Sequence, residues 1–199
     1  MAGSICHSAK SYLALVKGLL STMDERKLED FAGMLFGAWQ TERQVFVFGN
    51  GGSALTASHH VYEFLRTAAV SGQDRLKAYS LVDSIGNATA AGDGPSHDGA
   101  FTFPLEAYAK PGDIAVAISD SGDSASVLRA CEWARANGLA VVALTGFTGG
   151  KLRDLADIHI NVPSDNVGVI EDLHLTIGHA VAQMLKTRIM EDTVMVSTF

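Results

Sequence analysis

The chain has 199 residues, of which 47% are hydrophobic and 19% are charged. This length and composition exclude a disordered protein and predict one globular domain that spans residues 1–199. The formal net charge is -7 and the sequence contains no run of Lys or Arg. The charge argues against nucleic acid as the main ligand, because binding to a phosphate backbone requires a basic face.

The sequence also argues against a membrane or secreted protein. No segment reaches the ~18 consecutive apolar residues that a membrane span requires. Lys17 interrupts the apolar stretch near the N-terminus, so that stretch is interpreted as a helix and not as a signal peptide. The two cysteines, Cys6 and Cys131, form no disulfide framework and indicate a reducing compartment. We therefore expect a cytoplasmic protein.

Two helices are predicted before the first strand, over about residues 4–41. Apolar residues recur at helical spacing in 4–22 and again in 25–41, with Asp24 as a plausible cap between them. A minimal sheet does not need this helical pair. Its apolar surface could pack on the protein's own core or form an oligomer interface, and the sequence leaves both readings open.

From about residue 44 to 190 the pattern alternates between strands and helices. Short apolar runs predict five strands, at 45–48, 78–82, 114–118, 141–144 and 158–162. Helical stretches at 53–66, about 84–91, 100–109, 123–137 and 168–190 lie between or after them, and residues 191–199 form a tail with no predicted element. This alternation predicts an α/β fold with a doubly wound parallel sheet of about five strands flanked by helices.

Two similar loops follow the first and third predicted strands. GNGGSA (49–54) and SDSGDSAS (119–126) each lead into a helix, and they lie at the strand ends where open α/β sheets bind ligands. The first loop satisfies G-x-G-x-x-A, so a nicotinamide-dependent reductase is one possible reading. A dinucleotide site also needs an acidic residue about 20 residues further on, whereas Asp83 is more distant. A Walker A loop is excluded because no Gly-Lys-Ser/Thr follows.

The second loop has the composition of a phosphate-binding site. Ser119, Ser121 and Ser124 surround Gly122 directly before a helix. Hydroxyl groups and the free N–H groups of a helix start can together bind one phosphate monoester. The alternative is that these side chains only cap the helix. Three hydroxyls within six residues favour the ligand-binding interpretation.

Two helices carry candidate metal ligands or acid–base groups. His59 and Glu63 lie four residues apart, so both project from one helical face. The other candidates, Glu171, Asp172 and His179, lie on the last predicted helix. At 3.6 residues per turn, Asp172 projects in nearly the same direction as His179, whereas Glu171 projects roughly 80° away but on a common side. The spacing alone therefore does not identify which carboxylate is the ligand. Contacts without a metal remain the alternative for both helices.

Taken in this order, these motifs resemble the sugar isomerase (SIS) domain family. The resemblance rests on GNGGSA, His59 and Glu63, then SDSGDS, VVALTGFTGGKL and the I-E-D-L-H-L…H helix, and it covers about residues 5–188. The most similar branch is that of the phosphoheptose isomerases, which convert sedoheptulose 7-phosphate to a heptose aldose phosphate. The resemblance implies a single SIS domain and a homotetramer with active sites at subunit interfaces.

The same resemblance implies roles for individual residues. Zinc or another divalent metal is expected at His59, Glu63, Glu171 and His179, with Glu63 and His179 also forming the acid–base pair. The expected substrate-binding residues follow the two loops and the last helix: Asn50, Gly51, Gly52, Ser53, Asp83, Asp93, Ser119, Asp120, Ser121, Ser124 and Glu171.

Three positions depart from the family pattern. Asp120 replaces a hydroxyl residue within the phosphate loop and adds a negative charge there. Gly92 replaces an asparagine before Asp93. Glu171 replaces a glutamine, and this change should tighten the binding of a hard divalent ion. The departures leave open which sugar phosphate is bound, which metal is used and which pathway the protein serves.

Two functional hypotheses follow. The first is an aldose–ketose isomerase of a sugar phosphate, which moves a proton between C1 and C2 through an enediol. The second is a non-catalytic SIS protein that binds a sugar phosphate as a regulator or serves as a scaffold for a protein partner. Retention of His59, Glu63 and His179 favours the enzyme, because clustered titratable groups are typical of active sites.

Overall fold

The computed structural model describes residues 6–84, 86 and 99–196. Within these ranges it contains five strands and the helices that the alternating pattern predicts. The helix predicted at about 84–91 lies largely outside the described residues, and Gly92 and Asp93 lie entirely outside them. Every other predicted element has a counterpart, and the bounds of most agree within a few residues; the last helix is the main exception.

The five strands form one parallel sheet, which confirms the predicted fold class. The strands are β1 Gln44–Gly49, β2 Lys77–Ser80, β3 Ile114–Ser119, β4 Ala140–Thr145 and β5 Ile158–Asn161. Their order in the sheet is β2-β1-β3-β4-β5. The chain order reverses between β1 and β3, and ligands of open α/β sheets bind at this kind of switch point.

Helices cover both faces of the sheet. Val45 and Val47 of β1 point to one apolar cluster, whereas Phe46 and Phe48 point to the other. Alternation with both sets apolar is expected when a parallel sheet is buried on both faces. The helices are α1 Ala9–Leu20, α2 Glu25–Gln40, α3 Gly52–Arg66, α4 Thr102–Tyr108, α5 Ala125–Ala136, the 3-10 helix Lys151–Leu155 and α6 Val167–Val196. Buried residues of α2, α3 and α6 belong to the first apolar cluster, and buried residues of α4, α5 and the 3-10 helix belong to the second.

The last helix is longer than the sequence pattern predicts. It continues past residue 190 to Val196, through most of the tail for which no element was predicted. Ile189 of α6 is buried in the core. The amide of Gln40, the last residue of α2, donates a hydrogen bond of 3.1 Å to Asp192 of α6. These contacts with α2 extend the helix beyond the apolar periodicity on which the prediction relied.

The first helix packs only loosely on the rest of the fold. Within α1, every residue of which is described, no residue is buried. Tyr12, Leu15, Val16 and Leu19 are half-buried against the core, whereas Leu13 is 64% exposed. The helix therefore does pack on the protein's own core, and it also leaves apolar surface uncovered.

Across the described parts of the chain, no helix combines the length and apolarity needed to cross a bilayer. Both cysteines are free, with Cys6 half-buried and Cys131 buried. Burial raises the pKa of the Cys131 thiol to about 12, so this group is an inert part of the core.

Candidate active site

The two glycine- and serine-rich loops lie side by side at the carboxyl edge of the sheet. β1 and β3 are hydrogen-bonded neighbours, and the loops that follow them are joined by side-chain contacts. The Asn50 amide donates hydrogen bonds of 2.8 Å to the hydroxyls of both Ser124 and Ser126. Ser53 donates one of 3.3 Å to Asp120. The predicted juxtaposition of the two loops at the switch point is therefore present.

The loop at 119–124, here called the anion loop, is shaped by its own short-range hydrogen bonds. The Ser119 hydroxyl is buried and accepts a bond of 3.2 Å from the Gly122 N–H. The Ser121 hydroxyl accepts one of 3.2 Å from the Asp123 N–H. Gly122 has φ +69, a backbone conformation that favours glycine. A contiguous stretch of chain thus fixes the positions of its own hydroxyls.

The start of α5 completes the anion loop. Ser124 is the N-cap residue of α5, but its side chain makes no capping hydrogen bond to described residues. Its hydroxyl instead accepts a bond from Asn50. The first-turn N–H groups of α5 therefore have no side-chain cap, and such groups bind anions well. Simple helix capping does not account for Ser124.

The first turn of α3 lies against the last helix. Gly51 has φ +57, in the region where residues with a Cβ are strained. A Cβ added to Gly52 would overlap the Glu171 carboxylate. The two glycines therefore let the chain turn sharply out of β1 and let Glu171 approach the start of α3.

His59, Glu63 and His179 form a cluster, here called the histidine cluster. One ligand atom from each lies within 4.8 Å of the other two. Nε2 of His59 and Nε2 of His179 are 2.8 Å apart. Glu63 is buried on α3, where its carboxylate accepts a hydrogen bond from the Thr67 hydroxyl. The cluster therefore joins groups from α3 and α6.

The donor set of this cluster fits a divalent metal. Two imidazole nitrogens and one carboxylate are the three protein ligands of many catalytic zinc sites, which keep a fourth position open. The hydrogen bond from Thr67 to Glu63 orients the carboxylate, as outer partners of metal ligands commonly do. Thr67 follows Glu63 by four residues, so helical spacing could have identified it from sequence.

Glu171 and Asp172, the alternatives that the sequence left open, are not among the described residues whose ligand atoms all lie within 4.8 Å of one another in the histidine cluster. Asp172 accepts a hydrogen bond of 2.6 Å from the Tyr12 hydroxyl, a bond that raises the pKa of Tyr12 to about 12. The Glu171 carboxylate lies beside Gly52. Burial, followed by the negative charges of Asp120 and Asp172, raises the pKa of Glu171. The predicted role of Glu171 as a metal ligand stays a prediction.

Asp120 connects the anion loop to α3. Its carboxylate is half-buried and accepts the hydrogen bond from Ser53. Burial raises the pKa of Asp120, and the Ser53 bond partly opposes that shift. Asp83, further along this edge, accepts a bond of 2.6 Å from the Ser58 hydroxyl, one residue before His59.

Two buried histidines lie behind the cluster, and the sequence pattern assigned no role to either. His60 and His174 are both 0% exposed. Nε2 of His60 is 2.9 Å from the carbonyl oxygen of His174, and Nε2 of His174 is 3.1 Å from that of Thr145. Burial lowers the pKa of His60 to about 3 and that of His174 to about 4. Both imidazoles are therefore neutral and act as N–H donors.

Comparison with known proteins agrees with the fold and identifies the family. The SIS domain family model matches residues 11–146. A probable phosphoheptose isomerase of Thermoplasma acidophilum is 34% identical over 177 residues, which cover 89% of this chain and 97% of that protein. A phosphoheptose isomerase of Mycobacterium bovis is 40% identical over 149 residues, covering 75% of this chain and 76% of that protein.

Among solved structures, a phosphoheptose isomerase from Francisella tularensis superposes with a TM-score of 0.82 at 27% identity. The match covers 89% of this chain and 94% of that one. The chain belongs to the SIS domain family, in its phosphoheptose isomerase branch.

Proposed function

We propose that this protein is an aldose–ketose isomerase that interconverts sedoheptulose 7-phosphate and D-glycero-D-manno-heptose 7-phosphate. The observation that carries the proposal is the histidine cluster of His59, Glu63 and His179, on helices of which α3 begins in contact with the anion loop. Relatives named phosphoheptose isomerases, at 34% and 40% identity, support the choice of substrate.

The anion loop is proposed to hold the phosphate group. Its hydroxyls and the N–H groups of α5 can bind one phosphate locally, which a chain of net charge -7 requires. α3 begins beside this loop and carries the cluster further along. At ~1.5 Å per residue, His59 lies about 9 Å along the helix from Ser53. An open-chain sugar can therefore place its phosphate and its carbonyl at the two ends of this span.

Glu63 is proposed as the base and His179 as its partner. In the ketose-to-aldose direction, Glu63 removes a proton from C1, and the electron pair of that C–H bond forms the C1–C2 double bond of the enediol. His179 donates a proton to the carbonyl oxygen on C2 and then accepts the proton of the hydroxyl on C1. Glu63 returns its proton to C2, so no net charge changes, and the oxidation of C1 to an aldehyde is balanced by the reduction of C2 to an alcohol within the same molecule.

Zinc or another divalent ion is proposed to bind His59, Glu63 and His179, with Glu171 as the fourth candidate ligand. Such an ion would act as a Lewis acid for the negative charge that develops on the substrate oxygens. Metal analysis of the purified protein tests this assignment. One bound ion per chain is expected, and its absence after purification without chelators contradicts the metal assignment.

A homotetramer with active sites at subunit interfaces is proposed as the working assembly. The support is an apolar face on α3 beside His59, where Leu55 is 76% exposed and Tyr62 is 52% exposed. Light scattering of the purified protein is expected to give the mass of four chains. A monomer at micromolar concentration contradicts this assembly.

The test of function is proton exchange in deuterated water. Sedoheptulose 7-phosphate, shorter ketose phosphates and the matching aldose phosphates are each incubated with the protein and followed by NMR. Deuterium incorporation at C1 of the ketose, together with formation of the heptose aldose, is expected. Binding of sugar phosphate without any exchange would instead establish the non-catalytic SIS reading.

A further inference from the structure

We propose that His60 and Gly178 form a positioning contact between α3 and α6 that sets the separation of His59 and His179. The inference deepens the proposed function and rests on it where catalysis is concerned. Each member of the contact is the sequence neighbour of one histidine in the cluster. Neither His60 nor Gly178 is proposed to touch the substrate.

The first part of the contact is a hydrogen bond between helices. Nε2 of His60 on α3 lies 2.9 Å from the backbone carbonyl of His174 on α6. A carbonyl oxygen only accepts, so the proton of the neutral imidazole must be on Nε2. The bond therefore fixes both the distance and the direction of α3 relative to the backbone of α6.

The second part of the contact is steric. A Cβ added to Gly178 would overlap Nε2 and Cδ2 of the His60 ring. The His60 ring thus occupies the space that a side chain at position 178 would fill. Only glycine lets the imidazole reach the backbone of α6 at this crossing.

The contact leaves one buried nitrogen of His60 without a hydrogen bond to any described residue, which is unfavourable and which apolar packing alone would not require. Nδ1 of His60 is buried and has no hydrogen-bond partner in the described parts of the chain. An apolar side chain could fill this space without an unpaired nitrogen, and each such buried group requires an explanation. What the imidazole adds is a directional N–H bond to the facing helix.

A further bond links this crossing to the sheet. Nε2 of His174 lies 3.1 Å from the carbonyl oxygen of Thr145, at the end of β4. Thr145 pairs with Ser119 of β3, the first residue of the anion loop. The sequence of contacts His60–His174–Thr145 therefore ties the crossing of α3 and α6 to the strand ends that carry the anion loop.

The consequence is that the helix crossing determines the geometry of the cluster. His59 and His179 meet at 2.8 Å directly beside the contact. A wedge between the two helices would separate their imidazoles, while leaving each side chain intact. Outer groups that position metal ligands typically change metal affinity about 10- to 100-fold when they are altered.

The experiment compares four forms of the full-length protein: wild type, Gly178→Ala, His60→Ala and the double variant. Cobalt(II) is the probe, and its affinity is measured from the visible absorption of the bound ion. Gly178→Ala is expected to lower the cobalt affinity about 10- to 100-fold in the wild-type background. In the His60→Ala background the same substitution should have no further effect, because the clashing ring is gone. Gly37→Ala is the matched control, since nothing lies within 4 Å of that helical position.

A second readout does not depend on metal or on activity. In metal-free protein, the NMR signals of the ring nitrogens of His59 and His179 are expected to shift in Gly178→Ala and to stay unchanged in Gly37→Ala. Thermal unfolding confirms that each variant is folded. The proposal is overturned if Gly178→Ala leaves both the cobalt affinity and these signals unchanged. It is equally overturned if that substitution is as damaging without His60 as with it.

These readouts separate the inference from the proposed function. If the wild-type protein fails to isomerise any sugar phosphate, while the variants follow the expected pattern, only the proposed function falls. If the wild-type protein turns over sedoheptulose 7-phosphate and Gly178→Ala matches it in affinity, spectrum and rate, only the positioning contact falls.

Discussion

The anion loop and the histidine cluster are built in opposite ways. The anion loop is one contiguous stretch in which the hydroxyls of Ser119 and Ser121 accept hydrogen bonds from backbone N–H groups two or three residues away. The cluster instead joins residues 120 positions apart in the chain. Local backbone shape therefore determines the first region, whereas the crossing of α3 and α6 determines the second. Changes in the packing of α3 on α6 should therefore disturb the cluster more than the loop.

The largest expected effect is a loss of turnover with phosphate binding retained, when the proposed base in the histidine cluster is removed. Glu63→Gln keeps the size of the side chain and removes the proposed base. General acid–base groups typically contribute about 10²- to 10⁴-fold to the rate, so turnover of sedoheptulose 7-phosphate should fall by that factor. Inorganic phosphate should still bind, because the anion loop is intact. Glu132→Gln, on the exposed surface of α5, is the matched control; turnover that is equal in the two variants would remove Glu63 from the mechanism.

The second prediction concerns the stability of the protein at acidic pH, which depends on His174 at the crossing of α3 and α6. The pKa of buried His174 is lowered from 6.5 to about 4 by burial. Between these values the unfolded chain binds a proton that the folded protein does not. The free energy of unfolding should therefore fall by about 1.4 kcal/mol per pH unit from this group as the pH drops from 6.5 to 4.

Denaturant titrations of wild type and His174→Gln at several pH values measure this effect. Glutamine keeps an N–H donor that can reach Thr145 and does not titrate. Its stability curve should therefore have a shallower acid slope by the stated amount. Parallel curves for the two proteins would show that His174 is not the group responsible.

The same contrast explains what the sequence could predict. The β1–loop–α3 unit follows from four apolar residues and a glycine cluster, because local signals dominate there. The pairing of His59 with Glu63 likewise follows from i, i+4 spacing. That His179 on α6 joins His59 and Glu63 could be predicted only through the family resemblance, because spacing within α6 carries no information on where α3 crosses it.

Residues that act only through tertiary packing could not be predicted at all. His60 looks incidental on a helical wheel, yet it is fully buried against α6. Similarly, spacing did not identify the ligand between Glu171 and Asp172, although Asp172 aligns better with His179. In the structure Asp172 accepts a hydrogen bond from the Tyr12 hydroxyl of α1, an element whose orientation no pattern in the sequence specifies.

The third prediction tests the anion loop by itself. Ser124→Ala removes a hydroxyl that accepts a bond from Asn50 and that is proposed to contact the phosphate. The loss of one hydrogen bond of about 1 kcal/mol should raise KM for the sugar phosphate about fivefold, with a smaller effect on kcat. Ser21→Ala at the exposed end of α1 serves as the control. A fall in kcat at unchanged KM would place Ser124 in the chemistry and not in phosphate binding.

The smallest expected effect lies where the two regions meet, at Asp120. Asp120 lies in the anion loop, but its carboxylate accepts a hydrogen bond from Ser53 of α3. Burial raises the pKa of Glu171, and the charge of Asp120 adds to that shift. Asp120→Asn keeps the shape and an acceptor for Ser53 while it removes the negative charge. A charge at ~4 Å costs a bound anion about 1 kcal/mol in water, so the affinity for inorganic phosphate should rise about fivefold. The gain should shrink as salt is added, because salt screens exposed charges.

Asp30→Asn on the surface of α2 controls for the change in net charge. A weaker affinity in Asp120→Asn would mean that this carboxyl group helps to bind the ligand and does not repel it.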